Sequence, residues 1–374
     1  MVKNEMIEYE LKGPQSQALA RAHLVSALTE NRFPQAVIIE GAKGIGKKTL
    51  AIQLAQALCC TDSHKRPCGH CFGCKMAVDP GNVDCWVIPL ETKEANAKSA
   101  ADVSAGSVGK TVEDYLKNYV TEIIRNPYSV DYLSSVAQIS VEQIRNTTSR
   151  FALTGDRVRF VIVAEAERMN DSAANAFLKT LEEVPPNTYF ILTTSSRERL
   201  LQTIRSRCLS LRLPALEDRE VQEIVVKITG ETVSPDVLGM ALGSPGKAMY
   251  YALHESGHGS FALDFLRCSV EENYSELFFA METEDLKDPD EACVMLHHLS
   301  FLIADVVRQL AGAPARAPQA ASALKSLRLE NWGATALQMA LLTIEETIEK
   351  VVGRKNTPTV ALQTLAIQLF EGYK

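Results

Sequence analysis

Apolar residues recur at two different periods along this chain, and the change of period divides it. Up to residue 211, short unbroken apolar runs alternate with stretches of helical spacing. AVIIE (36–40), DCWVIPL (84–90), RFVIVAEAERMN (159–170) and TYFILTTSS (188–196) read as strands, the third running into a turn. A strand that is apolar at nearly every position is buried on both faces, as in a parallel sheet covered by helices. Between these runs lie SQALARAHLVSALTE (16–30), TLAIQLAQALCC (49–60), ISVEQIRNTTSRFAL (139–153) and SAANAFLKTLEEVPP (172–186), spaced as amphipathic helices. Ser140 with Gln143 three residues on predicts a capping box. Pro185 and Pro186 stop the last helix, because proline lacks the N–H a helix needs. Strands alternating with helices predict an α/β fold with a parallel sheet.

Beyond Leu211 the strands stop. Residues 216–255 read as short helices around the turn GSPGK (243–247), and residues 258–374 as helical throughout, with a Pro/Ala-rich loop at 312–321. The expected organisation is an α/β core (1–211), a small helical lid (212–257) and an all-helical C-terminal domain (258–374). Residues 91–135 interrupt the core. They begin as the low-complexity run ETKEANAKSAADVSAGSVGK and continue as the more ordered YLKNYVTEIIRNPY. They read as an insertion to which no chemistry is assigned.

Composition narrows the class. The chain has 374 residues, 46% hydrophobic and 23% charged, an ordinary globular balance with room for two or three domains. No apolar run approaches the length that spans a bilayer, and MVKNEMIEYELKG lacks an apolar signal core. The expected location is cytoplasmic, with no membrane partner. A net charge of -7 excludes coating nucleic acid by bulk charge, though not a local basic strip.

Four segments carry candidate chemistry. GAKGIGKKT (41–49) lies between a strand and a helix. Gly41, Gly44 and Gly46 let backbone N–H groups turn inward around phosphates, and Lys47 completes the G-x-x-x-x-G-K spacing. The bland alternative is a Gly-rich turn with no ligand. The next residue should offer a hydroxyl to magnesium, but it is Lys48. Thr49 comes one position late, which on a helix turns its hydroxyl roughly 100° away. In VIVAEAERM (161–169), Ala164 stands where a metal-holding aspartate is expected, followed by Glu165. Both magnesium-side groups are therefore missing. Lys48 is expected to replace part of the metal's charge, leaving at most metal-independent ATP binding without turnover.

Four of the nine cysteines follow the spacing Cys60-x7-Cys68-x2-Cys71-x2-Cys74. Such clustering favours metal over disulfides in a reducing compartment. Four thiolates, with Cys59 as the alternative to Cys60, predict a structural zinc site with no open position for catalysis. The fourth segment is TIRSRC (203–208), where Arg205 and Arg207 serve either as surface ion-pair formers or as an arginine reaching a neighbour's γ-phosphate.

Taken together, these pieces resemble the bacterial DNA polymerase III clamp-loader family of AAA+ proteins. The resemblance covers roughly residues 10–90 and 139–250. It rests on GAKGIGKKTLA, CCTDSHKRPCGHCFGC, AEAERMNDSAANAFLKTLEEVPPNTYFILTT, SRC and GSPGKA. Lys48 and Ala164 point to the delta-prime type, whose own site is degraded, and away from the gamma/tau ATPases. The resemblance implies an AAA+ core, a lid, and a helical collar in a ring of five subunits that includes gamma/tau and delta. It implies that Arg207 is an arginine finger acting in trans, that Thr194 is at a first sensor position and that Lys247 is at a second. It implies loading of a sliding clamp onto primer–template DNA. The alternatives are a working gamma/tau-like ATPase and a zinc-containing AAA+ scaffold outside replication.

Overall fold

The computed structural model describes residues 7–90, 112–130, 137–151, 157–253, 255–271, 273–283, 286, 288–316, 324–325, 327, 329–352 and 357–371. These fall in two compact units, one within 1–129 and 137–220, the other within 130–136 and 221–374.

The first unit runs β1 (Glu8–Tyr9), α1 (Ala18–Thr29), β2 (Ala36–Glu40), α2 (Lys47–Cys59), β3 (Lys65–Arg66), α3 (Phe72–Met76) and β4 (Trp86–Val87). It continues with α4 (Val112–Arg125), α5 (Val141–Phe151), β5 (Arg159–Val163), α6 (Asp171–Glu182), β6 (Thr188–Thr194), α7 (Gln202–Arg207) and β7 (Leu209–Arg212). Five strands form one all-parallel sheet in the order β4-β5-β6-β2-β7. The phosphate-loop candidate leaves the carboxyl end of β2, which lies between β6 and β7. Ligands in open α/β sheets bind at such carboxyl ends, where the strand order reverses.

Alternation along the strands assigns two faces. Ile38, Val161, Val163, Phe190 and Leu192 form a buried cluster with Ile144 of α5 and Ala173, Phe177 and Leu181 of α6. The intervening residues take the other face, where α2 contacts β5 and β6. The α2 residues Ala51, Leu54 and Ala55 are completely buried. Phe177 and Phe190 meet edge to face, with centroids 5.3 Å apart, a geometry that adds to the area they bury.

The expected helices are present within a few residues of their ends. The capping box forms: Ser140 N donates to Gln143 Oε1 (2.9 Å), and Gln143 N to Ser140 Oγ (3.4 Å). The strand expected at 84–90 shrinks to β4, because residues 83–85 form a 3-10 turn. The edge strand β7 was not anticipated. Neither was the parallel pairing of β1 with β3, which ties the N-terminal segment to the cysteine-rich module. In the 91–135 insertion, residues 91–111 and 131–135 lie outside the described residues; 112–125 form α4.

α8 (Asp218–Thr229) leads into the second unit. There α9 (Pro235–Ala241) and α10 (Pro245–Leu253) are two short helices. α11 (Glu255–Val270), α12 (Tyr274–Thr283), α13 (Pro289–Leu310), α14 (Gly333–Val352) and α15 (Pro358–Glu371) follow. Their core includes Phe265, Leu299, Ile303, Leu337, Ile344 and Leu365. Among the described residues, α13 is long and apolar enough by composition to cross a membrane. This corrects the expectation that no stretch comes close. His297, His298 and Asp305 break its apolar run, so a search for unbroken runs passes over it. Its apolar residues Leu296, Leu299, Leu302 and Ile303 are buried in the core of the second unit.

The Phe177–Phe190 pair supplies a check on the sheet core. Phe177→Ala removes a large side chain from a fully buried position, at a cost of about 3–5 kcal/mol. The expected outcome is a matching fall in the urea midpoint of the first unit's transition.

Candidate functional site

At the end of β2 the chain turns through Gly44 (φ 69°) and Gly46 (φ 105°), backbone regions that side chains with a Cβ avoid. Gly41 N donates to Thr194 O (3.1 Å), tying the loop to the end of β6. Lys47 opens α2 and is buried. Its ammonium donates to the carbonyls of Gly41 and Ala42, both at 2.7 Å. Burial pulls its pKa down to about 8, against the opposing pull of Glu167 and Glu165. The neighbouring Lys48 ammonium lies 5.2 Å from the centre of the Tyr119 ring. Thr49 lines a small cavity with Gly46 and Tyr128.

The second acidic segment follows β5. Ala164 is completely buried and its N–H is bonded to Val87 O (2.9 Å), so this position offers no ligand. Glu165 is left-handed (φ 49°) and its carboxylate accepts from Arg168 Nε at 2.9 Å. Glu167 accepts from Ser195 N (2.9 Å) and from Ser195 Oγ (2.5 Å). Thr194 is completely buried at the end of β6, and its hydroxyl accepts from Ser196 N at 3.1 Å. Thus Glu165, Glu167 and Thr194 each already hold a partner within the chain.

The cysteine module forms a separate centre. The sulfurs of Cys60, Cys68, Cys71 and Cys74 converge within 4.8 Å of one another. Cys68 and Cys74 are 4.0 Å apart, and Cys71 and Cys60 are 3.8 Å apart. Four sulfurs around a zinc ion at about 2.3 Å would sit about 3.8 Å apart, so the cluster fits a tetrahedral ion. Backbone N–H groups of Cys68, Cys71 and Cys74 point at sulfurs of the set, at 3.4–3.5 Å, a second shell that orients thiolate ligands. Cys59 is outside the cluster, its thiol directed at Val158 O (3.7 Å). The close approach of α3 explains Gly73: a Cβ there would lie 1.8 Å from Cys59 O.

Arg207 ends α7, just before β7. Its guanidinium donates to Glu182 Oε1 (2.8 Å) and Thr203 O (3.2 Å), with the side chain 38% exposed. Arg205 precedes it by two residues on the same short helix. Lys247 lies in the first turn of α10, where its N–H donates to Ser244 Oγ at 3.2 Å. The structure brings together Gly41, Gly44, Gly46, Lys47, Lys48 and Thr49 with Glu165 and Thr194. The cysteine cluster and Arg207 are separate from that group. Sequence reasoning missed Tyr119, Tyr128 and Glu182. The ordered pattern of YLKNYVTEIIRNPY signalled a helix, but nothing in it says what the helix packs against.

A family profile described as DNA polymerase III, delta subunit, matches residues 16–217. The DNA polymerase III subunit delta' of Escherichia coli is 31% identical over 299 residues, covering 78% of this chain and 75% of that protein. The tau/gamma subunit of Haemophilus influenzae is 27% identical over 218 residues, covering 57% of this chain and only 25% of that protein. A solved gamma-subunit-related protein from Thermotoga maritima aligns over 96% of this chain and 100% of its own, at TM-score 0.41 and 14% identity.

Two measurements test this geometry. A lysine whose folded pKa lies below its unfolded value binds fewer protons when folded, so stability rises with pH between the two values. For Lys47 that window runs from about 8 to 10.5. Between pH 7 and pH 10 the wild type should gain about 2 kcal/mol over Lys47→Met, at about 1.36 kcal/mol per pH unit. Urea midpoints across that range read it, and parallel curves for the two proteins would contradict the buried ammonium. At the cysteine centre, Gly73→Ala forces α3 away from Cys59 and spreads the sulfurs. Metal content of the purified chain should fall well below one ion per chain, read by elemental analysis.

Proposed function

This chain belongs to the DNA polymerase III delta-subunit family as a delta-prime-type, non-motor clamp-loader subunit, and we propose that it lends Arg207 in trans to the ATPase site of a gamma/tau neighbour. The observation that carries this reading is the state of Arg207. Its charge is held at the surface by one exposed carboxylate. An exposed ion pair of this kind is worth about 0–1 kcal/mol. A triphosphate on a neighbouring subunit carries far more negative charge than Glu182, so the exchange of partners favours the phosphate. A guanidinium placed there stabilises the charge that spreads over the transferred phosphoryl group.

The chain's own loop supports the non-motor role. The position for the magnesium hydroxyl is Lys48, the position for the aspartate is Ala164, and Glu165 is ion-paired with Arg168. Neither Lys48 nor Ala164 can replace a ligand that a divalent ion would lose from water. Glu165 is also tied up, so it is not available to polarise a water. In this reading ATP is bound and hydrolysed next door, and this subunit contributes a charge and a frame. Its partners are gamma/tau and delta subunits in a five-membered ring, a sliding clamp and primer–template DNA, in the cytoplasm. The helices of residues 258–374 act as its collar. The ion at Cys60, Cys68, Cys71 and Cys74 is zinc, which when bound would fix the module that β1 and β3 join to the core. Lys247 is a second-sensor position without a working site to sense.

The test is the reconstituted complex. Arg207→Ala should leave ring assembly unchanged by size-exclusion chromatography and lower DNA-stimulated hydrolysis at the adjoining site by ~10³-fold or more. Arg207→Lys keeps the charge but loses the planar fork, and should recover only a small part. An undiminished ATPase in a correctly assembled Arg207→Ala complex would remove the assignment. The isolated chain, given ATP and magnesium, should hydrolyse at background rate.

A further inference from the structure

The ordered half of the insertion, read from sequence without a role, packs against the phosphate loop. α4 is anchored in the first unit by Val120 and Ile123, both buried. Tyr119 on the same helix meets Trp86 of β4 edge to face at 6.4 Å. After α4 the chain turns. Ser129 N donates to Asn126 O (3.0 Å), and Tyr128 N to Asn126 Oδ1 (3.2 Å). The turn carries the Tyr128 ring onto the start of α2. A Cβ built on Gly46 would lie 3.0 Å from Tyr128 Cε1.

Gly46 is where a phosphate loop needs its backbone bare, so that N–H groups can face a ligand. Here a phenol ring packs against the Gly46 Cα, on the side a Cβ would occupy. The cavity left between Tyr128, Thr49, Gly13, Pro14 and Arg21 is about 10 Å³. That is room for about one water, whereas a cleft for a nucleotide-sized ligand needs roughly 300 Å³ or more. Two of the loop's three lysines are also committed, Lys47 to the carbonyls of Gly41 and Ala42 and Lys48 to the face of Tyr119. Arg21 donates to Gly13 O (3.0 Å) and Pro14 O (2.6 Å) on the cavity's far wall.

We infer that residues 112–130 are a built-in occupant of this chain's nucleotide cleft, with Tyr128 as the plug and the Lys48–Tyr119 contact as its latch. The loss of the magnesium ligands disables chemistry, whereas the plug acts earlier, on entry. Any nucleotide must first displace Tyr128, so its apparent affinity is divided by the small fraction of chains in which the plug is out. This inference rests on reading residues 41–49 as a phosphate loop and is independent of Arg207.

The experiment is equilibrium binding of a fluorescent ATP analogue to the full chain, with and without magnesium, for wild type, Tyr128→Ala, Tyr119→Ala and Tyr128→Ala combined with Lys47→Ala. Wild type should show no saturable binding up to millimolar analogue. Tyr128→Ala should bind at least tenfold more tightly than that limit, with little dependence on magnesium, and adding Lys47→Ala should abolish the gain. Tyr119→Ala releases the latch without opening the turn and should give a smaller gain in the same direction. It carries the test alone if Tyr128→Ala does not fold. Wild-type binding as tight as that of the folded variants would overturn the plug, and so would folded variants that remain unable to bind. Arg207 is intact in every variant, so failure of the plug and failure of the finger are read separately.

Discussion

A lysine ammonium cannot be buried without oxygen partners, and Lys47 is where this chain meets that constraint. Desolvation disfavours its charge, and the positive end of the α2 dipole disfavours it again. In a phosphate loop the ligand's anionic oxygens offset both. Here the oxygens come from the loop itself, through Gly41 and Ala42, with Glu165 and Glu167 supplying a favourable field. The loop is thus satisfied from within. Its link to Thr194 holds it against the end of β6. Position 48 offers an ammonium and Ala164 a methyl group, and neither can take the place of water on a divalent ion.

Much of this was legible in the sequence, because the signals involved are local. A parallel strand buried on both faces has to be apolar at nearly every position, and β2 and β5 are, while β6 is apolar from Tyr189 to Leu192. A capping box is written within four residues, and so is a Cys-x2-Cys turn. What escaped was non-local. LSLR at β7 is four residues long, with only Leu211 buried, so it lacks a buried strand's pattern. β1 and β3 are two residues each and gain meaning only by pairing across more than fifty residues of chain. The choice between Cys59 and Cys60 turned on which way one helix end faces. The packing of α4 on the phosphate loop depends on a contact between residues 46 and 128 that no spacing rule encodes.

The phosphate-loop segment and Arg207 depend on different elements. The loop is set by β2, α2 and the end of β6. Arg207 is set by α7 and by Glu182 at the end of α6. A mutation that degrades the loop therefore leaves the guanidinium's mounting intact. The same separation bears on how a subunit without turnover could serve a ring. A ligand shifts a conformational equilibrium only by the difference between its affinities for the two states. A chain that admits no nucleotide feels no such shift from ATP concentration. On the proposed reading, the neighbour's nucleotide state would then decide when guanidinium and phosphate meet.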